Sequence, residues 1–598
     1  MGFNAEVAAR FERAASILEL LGESRFRVNA YSKAARVIGD HATDLGAIAG
    51  DAAKLAELDG VGKSTAEKIG EFAETGTIRE LDELESSVPE GLPPLLGISG
   101  LGPKTLKLLW EQLGVTDLES LKRELDGEAI ASLKGMGKKS VEKIRESLRF
   151  AERAGGRLHL GLAMPIAERL VGLVEGVGSV TRAAFAGSLR RGRETIGDID
   201  ILAATDEPAA AHAALREAPG VLQVIGSGDR KTSVRVTIPT DAGRWRGILE
   251  EDASVQVDLR TVEDASWGAA LMYFTGSKAH NVKMRERAIA RGMTLNEYGL
   301  FEESEAERRS GEPPQSRGAT PVAGASEESI YRALELAWVP PELREDRGEL
   351  ELGETPRLIE LDDVRAELHA HTTASDGRME LDELASRARD RGFHTLAVTD
   401  HSRSSVQANG LSVERLREQR AAIEALEIDG ISVLAGSEVD ILKDGDLDYT
   451  DEVLAELDVV VASPHAALTQ DTKTATRRLL RAIEHPMVHI IGHPTGRIIS
   501  RRGGLEPAMD EIIAAAVEHD TALEVNAHWL RLDLRDTHVA AAVEAGALIA
   551  IDCDVHAPED FDNLRYGVLT ARRGGLTSER CINCWPEAEL HAWLRSKR

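Results

Sequence analysis

Cysteine is nearly missing from this chain: Cys553, Cys581 and Cys584 are the only three among 598 residues. Three thiols cannot build a disulfide framework, and the Cys-x-x-C at 581–584 has no second pair to complete a structural zinc site. Long apolar runs are missing too, since none approaches the about eighteen residues that a membrane span needs. The opening "MGFNAEVAARFERAASILELLG" sets acids among apolar positions and reads as an amphipathic helix, not a signal peptide, so the expectation is a soluble, cytoplasmic protein. Aromatics are sparse at 4%, while the apolar content of 42% is ordinary for a globular protein. Positive charge is short as well: 72 Lys and Arg face 101 Asp and Glu, a net charge of −29. As an average this argues against a nucleic-acid partner, because phosphates attract basic surfaces. Carboxylates gathered around metals, or an acid-rich solvated surface, lower the average without excluding a local cationic groove.

What the chain does have is length for several domains and a pattern that changes along it. Three early segments resemble one another: "LAELDGVGKSTAEKIGEF" (55–72), "LLGISGLGPKTLKLLWEQLG" (95–114) and "IASLKGMGKKSVEKIRESL" (130–148). Each has an apolar approach, a Gly-x-Gly turn, a lysine just after it and an amphipathic helix beyond, which reads as helix, tight turn, helix. The glycine pairs Gly60 and Gly62, Gly100 and Gly102, Gly135 and Gly137 permit close backbone approach. The amides beyond them, with Lys63, Lys104 and Lys138, suit a DNA phosphate. From Gly155 to about Pro340 strands alternate with helices, and the charged, Pro- and Gly-rich run "PPELREDRGELELGETPR" reads as a linker.

Within the middle region "FAGSLRRGRETIGDIDILAA" (185–204) holds Asp198 and Asp200, which strand alternation turns to one face. Two carboxylates so close repel unless a cation lies between them. Asp258, inside the apolar alternating strand "SVQVDLR", would be costly to bury alone and makes a third candidate ligand. Upstream, Gly187 and Ser188 open a helix that offers amides and a hydroxyl to phosphate oxygens, and Arg191 adds a charged donor. The set fits nucleotidyl transfer at a two-metal site with Mg²⁺ or Mn²⁺.

Thirteen of the 17 histidines lie beyond Val364. Seven short apolar runs recur there, "RAELHAH", "TLAVTDH", "SVLAGSEVD", "LDVVVASPHA", "VHIIGHP", "ALEVNA" and "LIAIDCDVH", mostly separated by helical segments. This predicts a parallel barrel one strand short of the usual eight, with reactive residues at the carboxyl ends of the strands. His369 and His371 share a strand face, Asp376 follows on a loop, and later strand ends supply His401, Glu438, His465, His493, Asp554 and His556. Nine N and O donors at one barrel mouth could hold two or three Mn²⁺ or Zn²⁺ ions. His394, His489 and His528 read as hydrogen-bonded core residues, and His485, His519, His538 and His591 as helix or surface residues. Cys553, beside Asp554, should turn away from the metals into the core.

The stretch "GSLRRGRETIGDIDIL", the longer "YFTGSKAHNVKMRERAIARGMTLNEYGLF" (273–301) and "FRVNAYSKAARVI" with "GVGKSTAEKI" together resemble the family X DNA polymerases, in the family's order over residues 1 to about 340. The histidine pattern from about 364 to 575 resembles the polymerase and histidinol phosphatase (PHP) domain. The resemblance implies a multidomain chain: helix-hairpin-helix modules at 1–85 and 86–155, an α+β nucleotidyltransferase palm at 156–265, a thumb-like nucleotide-closing part at 266–345, a linker at 346–363 and a distorted TIM-like (β/α)7 PHP barrel at 364–598. It further implies Ser188, Arg191 and Gly197 around a triphosphate, Tyr273, Phe274 and Gly276 at the sugar, Asn281 at the base edge, and Lys68 where lyase-active relatives carry an imine-forming lysine. The expected activity is gap-filling DNA repair of the base-excision type on gapped or primer-template DNA with dNTPs, together with 3′→5′ exonuclease or other 3′-end processing. Two rival readings are a metal-dependent phosphoesterase acting on a small metabolite beside a vestigial polymerase half, and a DNA-binding scaffold without activity.

Overall fold

In the computed structural model, residues 3–41, 45–56, 61–97, 101–126, 157–238, 253–304 and 313–597 are described, with the single residues 130, 133, 144 and 307. They fall into two compact units, the first holding the described residues of 1–156 together with Ala253 and the second holding 157–238 and 254–597.

The first unit is helical and has two apolar cores. Helix Phe3–Leu21 serves both. Its Val7, Phe11 and Ala14 pack with Ile38, Leu55, Ile69 and Phe72. Its last turns give Ile17 and Leu20 to a second core with Leu92, Leu106, Leu109 and Leu121. Ser24 caps helix Arg25–Asp40 by accepting from the Arg27 amide, which satisfies one of the free N–H groups at a helix start. Gly62 and Gly102 stand in extended backbone just before helices Lys63–Thr75 and Pro103–Leu113, the turns that the repeats predict. Gly60, Gly100, Gly135, Gly137 and Lys138 lie outside the described residues.

The second unit carries four sheets. A short pair, β1 (Leu158–His159) and β3 (Thr195–Ile196), flanks a five-stranded sheet of order β2-β4-β7-β6-β5, formed by β2 (Val180–Phe185), β4 (Ile199–Thr205), β5 (Val221–Ser227), β6 (Lys231–Thr237) and β7 (Ser254–Val262). Only β4 and β7 run parallel in it. A hairpin of β8 (Met293–Asn296) and β9 (Gly299–Glu302) follows, beside helices Trp267–Thr275 and Lys278–Ala290. The run expected to be a linker buries Leu350, Leu358 and Ile359, and the Ile359 amide donates to the Leu576 carbonyl at 2.9 Å.

All seven apolar runs of the last region become strands of one parallel sheet, in sequence order: β10 (Ala366–Ala370), β11 (Thr395–Val398), β12 (Ser432–Asp440), β13 (Val459–Ser463), β14 (Ile490–Ile491), β15 (Ala522–Asn526) and β16 (Ile549–Asp552). Two backbone bonds draw the ends together, His371 N to Val555 O at 2.8 Å and Val555 N to His369 O at 3.1 Å. The strands' outward residues, among them Leu396, Val398, Val460, Ala462, Leu523 and Val525, pack on the surrounding helices. Their alternates Ala397, Val459, Val461, Ile490, Ala522 and Ala550 form an inner layer with Leu590, Trp593 and Leu594 of the last helix, Glu587–Ser596. A bulge between Glu367 and Ala370 shifts the alternation of β10, so that Ala366 and Leu368 join the inner layer and Ala370 the outer one. Cys553 is fully buried in the outer core, as its place in the strand predicts.

Trp593 is 8% exposed, and its indole N–H donates to Asp520 at 2.8 Å. Trp593→Ala should cost about 3–5 kcal/mol, the range for truncating a buried aromatic. Urea unfolding followed by circular dichroism would register this as a lower midpoint at unchanged slope.

Candidate metal centres

In the five-stranded sheet the register does the assembly. Asp200 on β4 pairs directly with Asp258 on β7, and Asp198 stands one residue before β4 begins. The three carboxylates bring oxygens within 4.8 Å of one another. Asp258 is 5% exposed and takes 2.6 Å and 3.1 Å contacts from Lys231 Nζ and Gln256 Nε2. Burial, then repulsion from Asp198 and Asp258, pushes the Asp200 carboxyl up to about 7, while burial and the charge of Asp258 raise that of Asp198. Carboxylates that resist ionising beside one another are what a divalent cation relieves, so an all-oxygen site fits this set.

The loop before β4 is fixed to it by a bond from Ala186 N to Asp200 O at 2.8 Å. Gly187 follows with φ +64, and a Cβ there would come within 2.5 Å of Asp200 Oδ2, so the position takes glycine alone. Gly187–Arg190 form a single helical turn that includes Ser188. Two arginines follow opposite paths. Arg190 makes a two-pronged pair with Glu327, 2.8 Å at each oxygen. Arg191 places Nε 3.0 Å from Glu345 and donates Nη1 to the Thr275 carbonyl. Gly276, with φ +72, lies against Arg191, and Asn281 Nδ2 donates to Tyr273 O at 2.7 Å. The Tyr273 and Phe274 rings meet edge-on at 5.1 Å, with the Arg260 guanidinium 4.5 Å from the centre of Phe274. Thus Arg191, Tyr273, Phe274, Gly276 and Asn281 form one connected set. Gly197 stands apart from it, facing Arg157.

In the barrel, Glu438 at the end of β12 is the hub. Its oxygens lie 3.3 Å from His369 Nε2, 3.7 Å from His371 Nε2, 2.8 Å from His401 Nδ1, 3.2 Å from His465 Nε2 and 2.9 Å from His493 Nε2. Asp554 Oδ1 is 3.2 Å from His371 Nε2, and Asp376 Oδ1 lies 3.6 Å and 3.3 Å from the Nε2 atoms of His401 and His556. All nine expected donors therefore fall into overlapping groups of three or four. His369 Nε2, both nitrogens of His371, His401 Nδ1 and Glu438 Oε2 are buried without a hydrogen-bond partner despite these short distances. Atoms that close but unaligned converge on shared points, the arrangement cations require.

The rings are held from behind by carboxylates that spacing alone does not reveal. Glu524 takes His369 Nδ1 at 2.6 Å and Asp440 takes His465 Nδ1 at 2.5 Å, which directs each Nε2 to the mouth. His493 and Asp554 adopt left-handed backbone, φ 24 and 54. Before His493, a Cβ on Gly492 would approach Ser463 Oγ to 2.3 Å. Burial, then the charges of His556 and His401, hold the His371 imidazole neutral, with its pKa down at about 3. Burial would lower His465 as well, but Glu438 and Asp440 overcome it and raise it to about 10.

Lys68 is a different case. Its amine donates to Ser64 Oγ at 2.7 Å and pairs with Glu80 at 2.8 Å, and Tyr31 OH reaches the same carboxylate at 2.7 Å.

Comparison with known proteins bears on both centres. Family models match residues 3–78 (helix-hairpin-helix domain), 92–149 (SAM-like helix-hairpin-helix tandem), 270–345 (DNA polymerase beta thumb) and 367–528 (PHP domain). Over 593 residues the chain is 37% identical to the DNA polymerase/3′-5′ exonuclease PolX of Bacillus subtilis (strain 168), covering 99% of each. The chain belongs to the family X polymerases that carry a C-terminal PHP domain. Probable phosphatases match a smaller share of the chain: one from Thermoanaerobacter sp. (strain X514) is 26% identical over 245 residues, 38% of this chain and 94% of its own length. Another, from Caldicellulosiruptor bescii, is 28% identical over 207 residues, 33% of this chain and 82% of its own. All twelve residues expected as metal ligands fall in the groups that could hold an ion, whereas Lys231, Glu327, Glu345, Asp440 and Glu524 are not among the expected site residues. The doublet Arg190-Arg191 was the one local sign that buried acids would be needed.

Glu327 lies 5% exposed between Arg190 and Arg344. Burial alone would raise its carboxyl, but the Arg344 and Arg190 guanidinium groups prevail and hold it at about 2. A depressed carboxyl stabilises the fold above its unfolded pKa near 4.5 and loses that contribution as pH falls toward 2. Thermal melts from pH 7 to pH 3 should show this loss in the native protein and a flatter profile in Glu327→Gln. At pH 7 the variant should be about 3–5 kcal/mol less stable, because the buried Arg344 and the half-buried Arg190 lose their counter-charge.

Proposed function

We propose that the chain is a gap-filling DNA repair polymerase whose barrel trims 3′ ends. The observation that carries this reading is that three carboxylates and nine mixed donors each converge to coordination distance in a chain co-linear with a relative named for both activities. We propose the domain limits 1–85, 86–155, 156–265, 266–345, 346–363 and 364–598, and the cytoplasm as the place of action. Among the described residues no helix is long and apolar enough to cross a membrane.

Asp198, Asp200 and Asp258 would hold Mg²⁺ or Mn²⁺, and the nine barrel donors two or three Mn²⁺ or Zn²⁺. When bound, such ions supply Lewis acidity, activating an attacking oxygen and stabilising the leaving group. The residues of the chain do the rest. Ser188 and the amides of the Gly187–Arg190 turn bind triphosphate oxygens, with Arg191 as a charged donor and Gly197 leaving room beside them. Tyr273 and Phe274 pack the sugar, Gly276 brings backbone close enough to exclude a 2′-hydroxyl, and Asn281 meets the base edge. Gly62, Lys63, Gly102 and Lys104, with Gly60, Gly100, Gly135, Gly137 and Lys138, grip DNA phosphates without reading sequence. In the barrel, Glu524 and Asp440 keep their imidazoles turned toward the substrate phosphate. Lys68 could form an imine with an abasic sugar only after leaving Glu80 and losing a proton.

A second reading, a phosphoesterase for a small metabolite, draws on the partial matches to probable phosphatases. One experiment separates the two: recessed and gapped duplexes are incubated with Mg²⁺ or Mn²⁺, with and without dNTPs. Asp258→Ala should lose extension, and His371→Ala should lose primer shortening. Each loss should exceed about 100-fold, the upper end for removing a mere supporting partner of a metal ligand. Each variant should keep the other activity. Unchanged duplexes alongside hydrolysis of a small phosphate ester would favour the second reading.

A further inference from the structure

We propose that Arg573, a barrel residue, is a positioning residue for nucleotide binding in the palm; this rests on the polymerase reading above. Arg573 ends helix Leu564–Arg573, on the outside of the barrel, and is 4% exposed. Its Nη1 donates to the backbone carbonyl of Arg191 at 2.6 Å and to Glu345 Oε1 at 3.0 Å. Its other edge, Nε and Nη2, donates to Asp536 Oδ2 at 3.1 Å and 2.7 Å. Asp536 opens helix Asp536–Ala545, where the partial positive charge of the helix start steadies a carboxylate. The same barrel helix walls the phosphate loop: a Cβ on Gly192, φ +64, would stand 3.3 Å from Leu569 Cβ.

Arg191 is engaged in this state, with Nε on Glu345 and Nη1 on the Thr275 carbonyl. To reach a triphosphate its side chain must turn away from Glu345 while its backbone stays beside Ser188. Arg573 serves both needs. It pins the Arg191 carbonyl, and it keeps the buried Glu345 carboxylate matched with a cation once Arg191 leaves, a charge that would otherwise draw Arg191 back. The polymerase half thus borrows part of its nucleotide site from a barrel residue that is none of the barrel's nine donors.

The test uses the full-length protein and two variants. Arg573→Lys keeps a positive charge, but a single ammonium cannot span Arg191 O, Glu345 and Asp536 together. Asp536→Asn loosens Arg573 from the barrel side and leaves every contact of Arg191 in place. The KM for dNTP in primer extension should rise about tenfold in Arg573→Lys, the scale of one charge-assisted hydrogen bond, and by less in Asp536→Asn. The kcat at saturating dNTP and the rate of primer shortening without dNTP should stay within about twofold of wild type, the mark of lost ground-state binding. A selective KM rise in either variant supports the proposal. Unchanged KM in both, or a parallel fall of extension and shortening with a lower melting temperature, overturns it and leaves Arg573 a structural ion pair. A wild-type protein that extends no primer at all defeats the polymerase reading instead, before either variant is compared.

Discussion

Ionisable side chains crowded together govern both centres of the second unit. Asp200 and Asp258 face each other across parallel strands with Asp198 beside them, and Glu438 stands among five imidazoles. Neither arrangement is stable by hydrogen bonding alone, since burial and mutual repulsion raise Asp200 to about 7 and burial with neighbouring rings lowers His371 to about 3. Protein groups answer part of this charge. Lys231 stands on Asp258, and Glu524 and Asp440 stand behind His369 and His465. What they leave unanswered is aimed inward at common points, and that remainder gives the centres their affinity for cations.

The two sheets reach this outcome by different routes. In the five-stranded sheet the parallel β4–β7 pair sets Asp200 opposite Asp258 by register alone, so the site is specified by strand pairing and a one-residue slip would turn one carboxylate away. In the barrel no pair of strands suffices. Six of the seven strand ends supply the donors and β15 supplies the supporting Glu524, while the bulge in β10 with the left-handed backbone at His493 and Asp554 corrects the directions that regular strands would impose. Strain is tolerated there because a closed parallel sheet, with an inner layer capped by Trp593, fixes the strands on both sides.

That difference also decides what could be read from the residues. Donors announce themselves, because Asp-x-Asp or His-x-His in an apolar run is expensive without a purpose, and the seven runs reported the strands through their period. Partners do not announce themselves. Glu327, Glu345 and Glu524 look like any acid in a chain with 101 of them, and only folding shows that each is buried against an arginine or an imidazole. Composition misleads most around Pro340–Leu358: proline, glycine and charge signal a linker, yet Arg344, Glu345 and Glu349 are buried because Glu327, Arg573 and His280, in that order, lie within reach of them. Local chemistry reports what a side chain wants, and tertiary structure alone reports whether a neighbour supplies it.

Metal preference follows from the same donor inventory. The palm offers carboxylate oxygen alone, three groups on two strands with one edge exposed, which suits a hard ion that keeps water and shares its coordination with phosphate oxygens. The barrel offers six imidazoles, two aspartates and the shared Glu438, mostly buried, a set in which nitrogen predominates and which differs in kind from the oxygen-only site. Because Asp200 resists ionising near pH 7 while His371 is already neutral there, the palm must give up a proton to load its ions and His371 need not. In the barrel His465, raised to about 10, and His556, raised to about 9, must likewise give up protons before an ion can take their nitrogens, so mild acidification opposes cation binding at both centres.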